Sequence, residues 1–132
     1  MILGFKQQFQ DKTPTNFREK ILSGEKIHSI RAGDRWRLGM SIQMAYGVRT
    51  INYDQFNAIG WPELERCKNV QRIQIAFMYG FLEVRIDGEN WDNVHFLMIN
   101  DGLTRNQFID WFFPKGVHEF SGQIIHWTDF KY

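Results

Sequence analysis

The 132-residue chain has a single cysteine, Cys67, and lysine plus arginine exceed aspartate plus glutamate by only one charge, 16 against 15. One cysteine cannot build an internal disulfide framework, so the expected compartment is a reducing cytoplasm. No apolar run approaches the roughly 20 residues of a membrane-spanning helix, and the N-terminus turns polar too early for a signal peptide, so no membrane partner is expected. Because the net charge is close to zero, only a local basic patch could attract nucleic acid.

The sequence lacks several motifs that would indicate a cofactor-binding or metal-binding site. The sequence has no phosphate-binding P-loop, no GxGxxG fingerprint and no GxSxG nucleophile elbow. The histidines do not follow the spacing of metal ligands, and no cysteine pairs with another. The four are His28, His95, His118 and His126. The chain is therefore expected to work without a metal or a cofactor.

Aromatic residues and glycine are abundant, at 16% and 11 residues, with only three prolines. This composition favours many short strands joined by glycine turns. No repeat or linker interrupts the chain, which predicts one domain over residues 1–132 and a monomer. Helices are predicted over about Asn16–Ser23 and Arg105–Phe113, with a short third helix near Pro62–Arg66. Strands are predicted at about Lys26–Arg31, Trp36–Leu38, Ser41–Tyr46, Val48–Tyr53, Asn69–Met78, Leu82–Ile86, His95–Asn100 and Gly122–Trp127.

These elements predict a fold of the α+β class that is mainly β. Many short strands with a helix before the first of them favour a small mixed β-barrel, closed or nearly closed, with two or more flanking helices. A plain sandwich of two sheets is the alternative, and the two amphipathic helices weigh against it.

The segment Gly24–Gly39 is unusually polar for a strand. A serine hydroxyl becomes a nucleophile when a base takes its proton, and a partly buried lysine can be that base, so Ser29 and Lys26 are candidates for one pocket. The two positions have opposite parity in an ideal strand, so the pairing requires a turn or bulge near Gly24 before the strand begins. The alternative is a barrel edge with a solvated face.

Basic and aromatic residues are interleaved in the same region. Arg31, Arg35 and Arg37 alternate with Trp36, a pattern that suits single-stranded RNA or a free nucleoside, with charge for phosphates and a ring for stacking. Ordinary surface charge around a buried Trp36 would give the same pattern. Trp61 and Trp91 lie in aromatic loops that either line a pocket or cover the ends of the barrel.

The run ILSGEKIHSIR, residues 21–31, followed by Gly33-Asp34, resembles the ASCH domain of the PUA-like superfamily. The segment FKQQFQDK, residues 5–12, is similar to the start of small bacterial members that hydrolyse N4-acetylcytidine. NDGLT, residues 100–104, is a looser match, and residues 57–92 have no counterpart.

This resemblance implies a PUA-like barrel and an amidohydrolase that removes an acyl group from N4-acylated cytidine. Lys26 matches the family's lysine, Ser29 stands at its threonine nucleophile, and Asp101 stands at its glutamate. Asp101 also fits an acidic residue placed before a helix N-terminus. Arg31 would suit a phosphate, a carboxylate or the carbonyl edge of a base.

Two other functions stay open. The chain could be a non-catalytic RNA-binding module, in which Arg31, Arg35 and Arg37 hold phosphates, or an RNA-cleaving ASCH nuclease. The partner is in each case a modified nucleoside or single-stranded RNA. If the site is catalytic, replacing Lys26 by Met is expected to abolish turnover and barely change stability, because a functional lysine is not a core residue.

Overall fold

The computed structural model describes residues 1–57 and 64–132. Of these described residues, 36% lie in strands or isolated β-bridges and 17% in helices, so the fold is mixed α+β and mainly β. Across the described ranges, no helix combines the length and the apolar character needed to cross a membrane.

The described residues form three α-helices and eight β-strands. The helices are α1 (Phe17–Leu22), α2 (Val94–Asn100) and α3 (Arg105–Phe112). The strands are β1 (Ile2–Phe5), β2 (His28–Ala32), β3 (Gln43–Tyr46), β4 (Asp54–Gln55), β5 (Asn69–Met78), β6 (Phe81–Ile86), β7 (Glu89–Asn90) and β8 (Glu119–His126).

Hydrogen bonds join these strands into two sheets. The larger sheet is antiparallel with the order β2-β8-β5-β6-β7, and the smaller has the order β1-β3-β4, with β1 parallel to β3. The described strands do not close into a barrel. Backbone bonds nevertheless tie the segments that lead into β3 and β5, from Ile42 N to Glu65 O (2.6 Å) and from Cys67 N to Met40 O (2.8 Å). The segments that precede the central strands of the two sheets are thus hydrogen-bonded to each other.

Both sheets and all three helices contribute side chains to one apolar core. Phe108 and Phe112 of α3 are buried one turn apart, as are Phe17 and Ile21 of α1. Thr104 and Gln107 form a capping box at the start of α3, which satisfies backbone groups that a helix otherwise leaves free. The two predicted helices near Asn16 and Arg105 are therefore confirmed.

The strand predicted over His95–Asn100 is wrong, because these residues form most of α2. The Asn93 side chain accepts a hydrogen bond from Phe96 N (3.1 Å) and caps the helix. The short, largely apolar run Val94–Asn100 fits a strand as well as a helix. The spacing of its apolar residues therefore could not decide between the two elements. The cap decides it in favour of the helix.

Two further predicted strands are absent, and β1 was not foreseen. Trp36–Leu38 is irregular, and Val48–Tyr53 is a series of turns. Gly47 begins those turns at φ +63°, and a Cβ there would lie 2.4 Å from Asn52 O, so the chain folds back too tightly for a strand. The helix predicted over Pro62–Arg66 begins outside the described residues.

Gly122 in β8 lies where two strands approach very closely. A Cβ at this position would sit 2.1 Å from the Arg31 carbonyl oxygen of β2. We expect Gly122→Ala to push β2 away from β8 and to lower the free energy of unfolding by about 2 kcal/mol or more, a typical cost of overpacking. Urea denaturation of this variant and of the neighbouring Ser121→Ala control checks this, and equal midpoints would contradict it.

Candidate functional site

A tight turn between α1 and β2 positions Lys26. Gly24 adopts φ +82° after the end of α1, and Lys26 N donates to Lys20 O (2.9 Å), so Lys26 belongs to the turn and β2 begins at His28. The parity of an ideal strand therefore does not separate Lys26 from Ser29. Both residues line the same small cavity.

The C-terminal end of α2 brings Asp101 to this turn. Carbonyl groups at a helix end lack partners within the helix. Here they accept bonds from the α1–β2 segment: Asn100 O from Ile27 N (2.9 Å), Asp101 O from Lys26 Nζ (2.5 Å) and Gly102 O from Lys20 Nζ (2.8 Å). The last turn of α2 is thereby fastened against Lys26, although 75 residues separate Lys26 from Asp101.

Lys26 and Asp101 form a buried ion pair. Lys26 Nζ lies 2.9 Å from Asp101 Oδ1, and their side chains are 2% and 5% exposed. His28 Nδ1 lies 3.4 Å from the same oxygen, and His28 Nε2 lies 2.6 Å from the Tyr132 hydroxyl. The Tyr132 hydroxyl also accepts from Asn100 Nδ2 (3.1 Å). Because His28 Nδ1 faces a carboxylate oxygen, which can only accept, we assign the ring proton to Nδ1, and the Tyr132 hydroxyl then donates to His28 Nε2.

Burial and charge shift the protonation equilibria in this cluster. Burial lowers the pKa of Lys26, and the charge of Asp101 offsets part of that effect. Burial alone would raise the pKa of Asp101, but Lys26 and His28 together lower it. Burial also lowers the pKa of His28 and keeps the ring neutral. The cluster thus holds a carboxylate beside an ammonium that gives up its proton more readily than usual.

Ser29 and Arg31 of β2 form the other half of the site. Arg31 Nε donates to Ser29 Oγ (3.1 Å), and Arg31 Nη2 donates to Gly4 O (2.6 Å). Burial lowers the pKa of Arg31 to about 10, so the guanidinium stays charged at neutral pH. The structure shows no direct hydrogen bond between Lys26 and Ser29. A proton would pass between them through the cavity.

Lys26, Ser29, Arg31 and Asp101 all line one cavity of about 70 Å³. At about 30 Å³ per liquid water, this space suits two waters or a small acyl group. Aromatic rings complete its wall, from Phe5, Phe17 and Trp111. The cavity therefore presents a hydroxyl, an amine, a carboxylate and a guanidinium to one small group in a largely desolvated setting.

The structure does not bring the other predicted binding residues to this cavity. Arg35 and Arg37 are exposed in the loop after β2, where Arg37 Nη1 donates to Trp36 O (2.9 Å) and to Asp34 O. Trp36 is only 3% exposed, and its backbone is held by the Gln123 amide (3.0 and 3.1 Å). Its ring is part of the core, so the stacking role predicted for Trp36 is wrong.

Several residues of the site escaped the sequence analysis. His28 could have been found, because it alternates with Lys26, but Tyr132 is 104 residues away and carries no local signal. Trp111 lies within the predicted helix Arg105–Phe113, but nothing in the sequence placed it at the site. Trp91 packs on Tyr132, with ring centroids 5.0 Å apart, and Trp61 lies outside the described residues. Within residues 1–57 and 64–132, no group of three or more potential ligands could hold a metal ion.

Comparisons of the chain with protein-family models, with curated proteins and with solved structures find no match.

Proposed function

We propose that the protein is an amidohydrolase that removes a small acyl group from N4-acylated cytidine. The observation that carries this proposal is the meeting of Lys26, Ser29, Arg31 and Asp101 at one cavity of about 70 Å³. The ASCH resemblance of the same residues supplies the substrate class. An acetyl group matches the size of the cavity.

The site supports a two-step acyl transfer. Lys26 first releases the proton of its ammonium to water, which burial favours. Ser29 Oγ then attacks the amide carbonyl carbon, and its proton passes through a cavity water to the Lys26 amine. Arg31 stabilises the negative charge that develops on the carbonyl oxygen. Lys26 then protonates the departing amine as the carbon–nitrogen bond breaks, and water hydrolyses the acyl-serine to release the acid and restore the hydroxyl.

Asp101 acts in this scheme through Lys26. Its carboxylate holds the amine in place by the 2.9 Å contact and stabilises the ammonium that forms when Lys26 takes a proton. His28 Nδ1 lies 3.4 Å from the same Asp101 oxygen, and the Tyr132 hydroxyl contacts the other nitrogen of the His28 ring. The steps use side chains of one chain and need no cofactor. We accordingly propose that the protein acts as a monomer in the cytoplasm.

We also propose that the two sheets are an opened PUA-like barrel. Two contacts support this: the backbone bonds between the segments leading into β3 and β5, and the bond from Arg31 of β2 to Gly4 O of β1. The first set joins the segments before the central strands of the two sheets, and the second joins the edge strands β1 and β2. In this arrangement α1 and α3 would be the flanking helices.

Ser29 provides the cleanest test, because its substitution removes one atom from a folded site. We expect Ser29→Ala to abolish release of acetate and cytidine from N4-acetylcytidine, measured by liquid chromatography and mass spectrometry. Ser29→Thr keeps the hydroxyl and should retain activity, and Ser121→Ala on the exposed part of β8 is the matched control. Full activity in Ser29→Ala would overturn the proposed nucleophile.

A non-catalytic RNA-binding module is the second candidate. The exposed Arg35 and Arg37, both outside the cavity, favour it. Salt-sensitive binding of single-stranded RNA, lost in an Arg35→Gln, Arg37→Gln variant and accompanied by no hydrolysis of N4-acetylcytidine, would select this function over the first.

A further inference from the structure

A groove of about 910 Å³ lies beside the small cavity. The two spaces share three residues, namely Lys6, Arg31 and Trp111. The remaining wall comes from the loop between β1 and α1 and from α3, including Lys12, Asp11 and Asp110. The small cavity therefore continues into a larger and more polar space.

The sizes of the cavity and the groove determine which part of the substrate each can hold. A cavity that suits about two waters cannot hold a whole nucleoside, so only the acyl group and the amide can enter it. The base edge, the sugar and anything attached to the sugar must lie in the groove. Residues of the groove thus decide which form of the substrate is preferred.

Neither the lysines of the groove, Lys6 and Lys12, nor its aspartates form an ion pair among the described residues. Lys6 Nζ instead lies 5.6 Å from the Trp111 ring centroid. The Asp11 carboxylate is already occupied, since it accepts hydrogen bonds from Thr13 N (3.0 Å) and Thr13 Oγ1 (2.6 Å).

The loop holds Lys12 in a defined place. Lys12 has φ +74°, a left-handed conformation that is uncommon for lysine. Two backbone bonds maintain it, from Lys12 N to Phe9 O (3.0 Å) and from Phe9 N to Thr13 O (2.8 Å). Phe9 packs on Trp111, with ring centroids 6.0 Å apart. The Lys12 backbone is thus fixed relative to the wall that the groove shares with the cavity.

We propose that this groove binds a phosphate group of the substrate, so that the preferred substrate is an N4-acylated cytidine mononucleotide. The inference rests on the proposed function and names its substrate class. Lys6, Lys12 and Arg31 against Asp11 and Asp110 give 3 − 2 = +1 for the lining residues. That charge suits one phosphate, whereas the two aspartates oppose the successive phosphates of an RNA strand.

Steady-state kinetics test the proposal. We expect kcat/KM for N4-acetylcytidine 5′-monophosphate to exceed that for N4-acetylcytidine by about tenfold or more, which corresponds to about 1.4 kcal/mol. The double variant Lys6→Met, Lys12→Met should bring this ratio close to one, while Lys68→Met, outside both spaces, should keep it. Equal kcat/KM values in the unmodified protein would overturn the phosphate site and leave the amidohydrolase standing. Faster turnover of an acetylated RNA oligomer than of the mononucleotide would overturn the choice of substrate.

Binding measurements separate this inference from the reaction itself. If neither acetylated compound is hydrolysed, calorimetry with cytidine 5′-monophosphate, cytidine and inorganic phosphate still decides the matter. Binding of the monophosphate at least tenfold tighter than cytidine, weakened in the double lysine variant, supports the phosphate site even though the amidohydrolase proposal has failed. Equal or undetectable binding of the monophosphate overturns it.

Discussion

Lys26→Met and Asp101→Asn are each expected to lower the free energy of unfolding by about 3–5 kcal/mol, because either change leaves the other member of a buried ion pair without its partner. The pair is 2.9 Å apart with both side chains almost fully buried. The double variant, which removes both charges, should cost much less than the sum of the two. A buried pair replaced as a unit leaves no isolated charge behind.

Urea denaturation of the two single variants and the double variant measures this coupling. The exposed ion pair of Arg18 and Asp54 is the matched control, with atoms 3.5 Å apart and side chains 47% and 57% exposed. Arg18→Met and Asp54→Asn should each change stability by less than about 1 kcal/mol. Additive losses for Lys26 and Asp101 would show that the two groups act independently.

This result would correct the expectation that Lys26→Met barely affects stability. The expectation assumed that a functional lysine lies outside the core. The structure places Lys26 among core side chains, with Nζ 4.9 Å from the Phe17 ring centroid. Loss of activity in Lys26 variants must therefore be compared with the folded fraction, which is why Ser29 is the better test of chemistry.

Acidification should destabilise the protein between pH 7 and pH 5. His126 is fully buried, and burial lowers its pKa to about 3, against 6.5 when unfolded. Burial also lowers the pKa of His28. Below pH 6.5 these histidines are therefore protonated in the unfolded chain but neutral in the folded chain. The free energy of unfolding thus decreases as the pH decreases. His126 alone should remove about 2 kcal/mol by pH 5, at about 1.4 kcal/mol per pH unit below 6.5.

The surroundings of His126 support this direction. The ring centroids of His126 and His28 lie 5.5 Å apart, and His126 Nε2 lies 2.9 Å from Gln71 Oε1. The charge of Asp87 raises the pKa of His126, but this offsets only part of the lowering that burial and His28 cause. The depressed pKa of Asp101 acts at lower pH, since that stabilisation is lost only as the pH falls through its folded-state value, below 3.8.

Denaturation at several pH values checks the prediction. His126→Asn should reduce the dependence between pH 7 and pH 5 by about 2 kcal/mol, and Ser121→Ala, which removes no titratable group, should leave it unchanged. An unfolding free energy that stays constant over this range in the unmodified protein would contradict it.

Local sequence patterns predicted some helices and strands correctly and failed for others. The helix predicted over Arg105–Phe113 became α3, whose capping box of Thr104 and Gln107 and buried Phe108 and Phe112 are all features of neighbouring residues. The apolar run of α2 was ambiguous, since its outcome depends on the Asn93 cap. β1 is held mainly by its parallel pairing with β3, about forty residues further along, and no local pattern reveals such a partner.

Some residues of the candidate site could likewise be predicted from local sequence, and others could not. Lys26 and Ser29 stood out in a polar segment, and the requirement for a turn near Gly24 is met by the φ of +82° there. Asp101 was reached through the resemblance alone. Its contact with Lys26 depends on hydrogen bonds between the end of α2 and the α1–β2 segment, which only the tertiary structure creates.

The pairing of β2 with β8 has a consequence for the folding kinetics. Ile30 lies opposite Ile124, so this contact closes a loop of 124 − 30 = 94 residues. Contacts so distant in sequence form slowly, because the chain loses much conformational entropy before the contact stabilises it. On a ribosome, β2 would emerge long before β8, its only neighbouring strand in the described part of the chain, and both of its edges would stay unpaired until β8 follows. We therefore expect Ser29 and Arg31 to reach their final positions late in folding, so that ligand binding would report completion of the whole chain.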